Sequence, residues 1–109
     1  FDLIVTNPPY IPHNEVLELL KDGRNEPILA LDGDILETGD YSNTNDGLEL
    51  IRRLVPQAYD HLSPQGQLIM ETGEYNAEEA AEILKSTGFK DIKIEKDLAG
   101  QLRDVLGRK

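Results

Sequence analysis

Two adjacent prolines, Pro8 and Pro9, follow closely on the apolar run Leu3-Ile4-Val5, and they decide how that run can end. Neither proline has an N–H to give to a sheet ladder, and both hold φ near one value. A short apolar run stopped by such a signal reads as a strand buried on both faces. It spans Phe1 to Thr6 and leaves the sheet through Asn7-Pro8-Pro9-Tyr10. Pro12 keeps the exit extended.

The rest of the chain alternates between two periodicities. Val16, Leu19 and Leu20 fall on one face of a short helix over Glu15 to Asp22, with Gly23 as its stop. Arg24 to Asn45 has no sustained period and reads as a long loop, a class that is usually functional or mobile. Leu48, Ile51, Val55, Tyr59 and Leu62 form the apolar stripe of a second helix. Asp46 and Glu49 resemble a capping box at its start, and Pro56 is expected to kink or shorten it. After the Ser63-Pro64-Gln65-Gly66 turn comes a buried strand over Gln67 to Thr72. A third helix follows, with Asn76 and Glu79 repeating the capping pattern and Gly88 as its end. Ile92 and Ile94 alternate with Lys93 and Glu95, as in a strand solvated on one face. Val105 and Leu106 mark a last short strand beyond a turn at Gly100. The order implies an α/β layer fold with a largely parallel sheet, the last two strands pairing antiparallel as its edge.

Composition narrows the function classes. The 109 residues suffice for one small domain. With 21 acidic against 11 basic residues the net charge is −10, which disfavours nucleic acid as a partner unless the cations cluster. The late cations Lys90, Lys93, Lys96, Arg103 and Arg108 are interleaved with Asp91, Glu95 and Asp97. With no cysteine there is no disulfide, thiolate zinc site or cysteine nucleophile. No apolar run approaches a membrane span, and a cytoplasmic location is expected. His13 and His61 have no partner pattern and read as surface residues. The acids Asp32, Asp34, Glu37, Asp40 and Asp46 resemble a calcium loop only loosely. Counted from Ser42, Arg53 takes the place of the bidentate glutamate, so no metal site is expected.

The chemistry concentrates in Asn7-Pro8-Pro9-Tyr10. In open α/β sheets, sites form beyond the carboxyl ends of strands. This loop suits an amide or amino nitrogen, whose lone pair is delocalised. Two acceptors aimed at its two hydrogens would orient it and favour the more positive nitrogen of the transition state. The Asn7 side-chain oxygen is one candidate acceptor and the Pro8 carbonyl, on a stiffened backbone, the other. Tyr10 can lie on the flat face of the planar group. An isolated Asn-Pro-Pro is more often a plain turn; the strand before it and the tyrosine after it favour a site.

The run Phe1 to Pro12 resembles the catalytic-loop region of the release factor glutamine methyltransferases. Glu26-Pro27, Leu29-Ala30-Leu31-Asp32-Gly33, Asp46-Gly47-Leu48 and Lys96-Asp97-Leu98-Ala99-Gly100 follow in that family's order. Asn-Pro-Pro-Tyr is shared with methyltransferases acting on the amino group of adenine in RNA or DNA, which is the alternative reading, beside a non-catalytic interaction module. The resemblance implies a class I, S-adenosylmethionine-dependent methyltransferase fold with a terminal antiparallel hairpin. It further implies methyl transfer to the glutamine of a Gly-Gly-Gln loop in peptide-chain release factors. Asn7, Pro8 and Tyr10 would be catalytic, and Pro9, Glu26 and Pro27 would join them around the substrate. Asn7 would also border S-adenosylmethionine.

Three departures from the family stand out, one of them Leu102, which stands near where the family usually has a polar residue or proline. Asp34 to Asn45 is longer than the family's link and is expected to be a surface insertion. Asn76 replaces the usual Gln and is expected to be a plain helix cap. No Gly-x-Gly occurs, and the chain opens inside a strand. It is therefore expected to be one partial domain over residues 1–109, without the cofactor-binding half and inactive alone. Its first strand would carry a bare edge open to self-association.

Overall fold

The computed structural model describes residues 1–13, 15–17, 33, 34, 36 and 46–109. Glu26, Pro27 and the run Leu29 to Asp32 lie outside them, as does most of the expected insertion. The described elements are β1 (Leu3–Thr6), α1 (Glu49–His61), β2 (Gln67–Glu71), a short 3-10 turn (Glu74–Asn76), α2 (Ala77–Thr87), β3 (Lys90–Lys96) and β4 (Leu102–Arg108). Residues 13 and 15–17 are helical, and Val16 is fully buried. Among the described residues no helix is long and apolar enough to cross a membrane.

The sheet order is β1-β2-β4-β3. β1 runs parallel to β2, with Thr6 opposite Met70. β4 is antiparallel to both β2 and β3. The expected sheet was largely parallel, yet one of these three pairings is parallel. The antiparallel β3–β4 pair forms as expected, but β4 inserts beside β2 and leaves β3 alone at the edge. β4 is also longer than its two apolar residues implied, because Leu102 to Arg108 find partners on both sides.

Both helices cover one face of the sheet. Met70 stands opposite Val105, so the two share a face, and Leu68 points the same way. Together with Ile51 and Val55 of α1 and Ala80 and Leu84 of α2 they build the core. Gly107 belongs to this face. A Cβ there would stand 2.8 Å from the Leu84 side chain, so only glycine lets α2 approach β4 so closely. On the other face no described helix lies, and this overturns the reading of β1 as buried on both faces. Leu3 is 52% and Val5 67% exposed.

The helix ends also differ from the sequence reading. Asp46 is not a cap of α1, whose N-cap position is Leu48. Its carboxylate instead accepts the Leu48 N–H at 3.0 Å, as in an Asx turn, and pairs with Arg52. That pairing, more than any other contact, holds the Arg52 guanidinium above the ordinary arginine range. Pro56 does not end α1, which continues to His61. Its ring is exposed, so the helix loses one hydrogen bond there without a clash against the core. Gly88 closes α2 with φ 122°, and its N–H donates to the Leu84 carbonyl at 3.2 Å.

Candidate functional site

Asn7 is the first residue beyond β1, and its side chain is exposed, with no hydrogen-bond partner among the described residues. Pro8 turns inward and is buried, lining a cleft with Leu50, Arg53 and Leu54 of α1. Tyr10 is half-buried and packs against the core. The loop crosses from the end of β1 to the end of β2, which lies alongside it. This places an acceptor-bearing residue and an aromatic ring at the carboxyl ends of two parallel strands, where α/β sheets bind ligands.

The Tyr10 backbone is packed against glycines. Gly47 has φ 77°, and a Cβ there would stand 2.0 Å from the Tyr10 carbonyl oxygen. A Cβ on Gly33 would stand 2.0 Å from the Gly47 oxygen. Gly33 N–H donates to the Ile11 carbonyl at 2.9 Å, and Leu50 N–H to the Gly33 carbonyl at 2.8 Å. The glycines of Leu-Ala-Leu-Asp-Gly and Asp-Gly-Leu therefore stack on the loop that carries Tyr10, a closeness only glycine permits.

Asp34 was read as the first residue of a surface insertion, and here the structure disagrees. Its side chain is fully buried. It accepts the His13 N–H at 3.1 Å and the Gly47 N–H at 2.9 Å. A carboxylate costs much to bury unless it meets such donors, and these two join the exit of the loop to the approach of α1. His61 is exposed as expected, with Nδ1 2.8 Å from the Gln57 carbonyl oxygen. His13 is half-buried instead, because Asp34 draws its backbone in.

Asn76 is the residue that the sequence reading missed. It forms no side-chain cap on α2. It is 8% exposed, and its Nδ2 donates to the Tyr10 carbonyl at 3.0 Å. Nothing local signals a bond between residues so far apart; the departure at this position from the family's pattern was the one available sign. Tyr10, Ile11, Pro12, Glu15, Asp46, Gly73, Tyr75, Asn76 and Glu79 line a cavity of about 250 Å³ beside the loop. Glu26 and Pro27, expected around the substrate, lie outside the described residues.

Comparison with known proteins fits this geometry. No family model matches the chain. Over its whole length it is 41% identical to the release factor glutamine methyltransferase of Bradyrhizobium diazoefficiens, covering 34% of that protein. Identity is 40% over 99% of the chain with the enzyme of that name from Geobacter sulfurreducens, covering 35% of it. With that of Clostridium acetobutylicum it is 37% over 97% of the chain and 34% of the relative. The chain thus spans about a third of the length of these relatives. A solved methyltransferase from Pyrococcus furiosus aligns with the whole chain and 41% of its own, with TM-score 0.59 and 22% identity. That likeness fixes the fold as the class I methyltransferase type, β4 lying antiparallel between β2 and β3. From one end of the chain to the other, its sequence matches a stretch, about a third in length, of the release factor glutamine methyltransferases.

Proposed function

We propose that the whole protein containing this chain transfers a methyl group from S-adenosylmethionine to the side-chain amide nitrogen of a release factor's Gly-Gly-Gln glutamine. The observation that carries this reading is the exposed, unengaged Asn7 side chain at the end of β1, followed by a tightly packed loop. The Asn7 oxygen and the Pro8 carbonyl accept the two amide hydrogens. This holds the nitrogen's lone pair toward the incoming methyl group and favours positive charge as the N–C bond forms and the methyl's bond to the donor sulfur breaks, after which the nitrogen gives up one proton to solvent. The open part of the Tyr10 ring lies on the amide plane. Glu26 and Pro27 complete the substrate surface. S-adenosylmethionine supplies the methyl group already activated, so no metal or nucleophilic residue is required. The residues present fit one flank of that cofactor: Asn7 can border it, while the sequence holds no Gly-x-Gly loop.

The test is methyl transfer by the whole protein, read by mass spectrometry on a release factor, on RNA and on DNA. The release factor should gain one methyl on its Gly-Gly-Gln glutamine. Asn7→Ala should lower the rate by about a hundredfold, the scale of one lost transition-state hydrogen bond. Methylation of adenine in RNA or DNA with no change to the release factor would overturn the reading.

A further inference from the structure

The loop that carries Tyr10 has few means of holding itself. Three of the seven residues from Asn7 to His13 are prolines, which have no N–H to donate, so the shape of the loop depends on partners outside it. Three such partners meet it. Asn76 Nδ2 donates to the Tyr10 carbonyl at 3.0 Å. Gly33 N–H donates to the Ile11 carbonyl at 2.9 Å. Asp34 Oδ2 accepts the His13 N–H at 3.1 Å. Two consecutive residues, Gly33 and Asp34, thus take hold on both sides of Pro12.

Asp34 also reaches Tyr10 by a second route. Its Oδ1 accepts the Gly47 N–H at 2.9 Å. Gly47 lies directly under the Tyr10 carbonyl, where a Cβ would stand 2.0 Å from the oxygen. The Tyr10 backbone is therefore packed on a residue that the carboxylate holds. The Leu50 N–H, donating to the Gly33 carbonyl at 2.8 Å, ties the same segment to the first turn of α1. A carboxylate is a costly group with which to close a turn, because its burial takes a full charge out of water. Asp34 is fully buried all the same. What distinguishes it is a pair of acceptor oxygens in one plane, each meeting a different N–H. Asparagine has the same shape but one acceptor, and its NH2 group would face the second N–H donor.

We infer that Asp34 is a positioning residue for the Asn7–Tyr10 loop, its two oxygens fixing the loop's exit and the glycine beneath Tyr10 before substrate arrives. The inference rests on the methyltransferase reading for its consequence, and on the two hydrogen bonds for its geometry. Misplacing groups that orient a bound substrate lowers the rate of the bound complex more than it weakens binding.

The experiment compares Asp34→Asn with the unaltered whole protein. The substitution should lower kcat for methyl transfer to a release factor about tenfold while KM changes little, the scale of one lost hydrogen bond to a charged group. Lys109→Met is the control for lost stability alone. The Lys109 ammonium donates to the Tyr59 and Leu62 carbonyls at 2.7 and 3.0 Å, at the other end of α1, and lies over the Tyr59 ring. Its loss should leave kcat unchanged. An equal fall in kcat for both variants would overturn the proposal. NMR supplies readouts apart from activity. In the unaltered protein the His13 and Gly47 amides should exchange slowly with solvent, and fast exchange at both would overturn the proposal before any substitution. Asp34→Asn should quicken exchange at one of these amides by about tenfold and move the Tyr10 ring signals, whereas Lys109→Met should move those of Tyr59 and leave Tyr10 in place. Unchanged exchange at both amides would overturn the proposal. Quickened exchange with unchanged kcat would also overturn it, because Asp34 would then serve the fold alone. Quickened exchange and moved Tyr10 signals in a protein that methylates no release factor would uphold the positioning and sink the functional reading.

Discussion

Gly47 shows how much of the site depends on single residues with no side chain. Its φ of 77° and the 2.0 Å approach of a would-be Cβ to the Tyr10 oxygen exclude any larger residue without a backbone shift. Gly47→Ala is expected to destabilise by about 3 kcal/mol, as strain and overpacking add. Urea unfolding would show this as a lower midpoint at unchanged slope, and an unchanged midpoint would contradict it. Asp34 and Asn76 teach the complementary lesson. Both are polar, and both sit in stretches that read as a surface loop and a plain cap. Each is buried because a distant backbone group needed its partner there: the N–H groups of His13 and Gly47 for Asp34, the Tyr10 carbonyl for Asn76. Composition favours exposure for both residue types, and only the contact reverses it.

At the scale of elements, periodicity read most of the described structure. The apolar stripe of α1, the buried residues of β2 and the glycine end of α2 all lie where the spacing put them. Pro56 was over-weighted, because its ring points to solvent and costs α1 one bond rather than the helix. β1 was misjudged in the opposite way. Its period is that of a strand covered on both sides, yet Leu3 and Val5 are open, and it pairs with β2 alone among the described strands. An apolar edge of this kind is a template on which another copy can pair. The 109-residue chain is expected to self-associate through it, and Val5→Lys to shift the equilibrium toward monomer. Sedimentation across a concentration series would show the difference, and identical profiles for both proteins would argue against β1 as the contact.

At the scale of the molecule, the chain carries the loop proposed to orient the substrate. It spans about a third of its relatives and has no Gly-x-Gly anywhere. The chain by itself is therefore expected to bind S-adenosylmethionine weakly or not at all. Calorimetry giving a micromolar dissociation constant for the 109 residues would refute this.

What the sequence determined alone was governed by neighbours along the chain. Two prolines end a strand, a stripe of apolar residues makes a helix, and Asn-Pro-Pro-Tyr at a strand's carboxyl end is the loop proposed to take a planar nitrogen. What only the tertiary structure decided was governed by neighbours in space. β4 lies between β2 and β3 because hydrogen-bonding partners were free on both sides. Tyr10 is held by Asn76 and Gly73 because the ends of β1 and β2 converge. A hydrogen bond between Asn76 and Tyr10 has no period and no local composition. It exists once the sheet has brought its ends together, and the pattern of residues between them carries no trace of it.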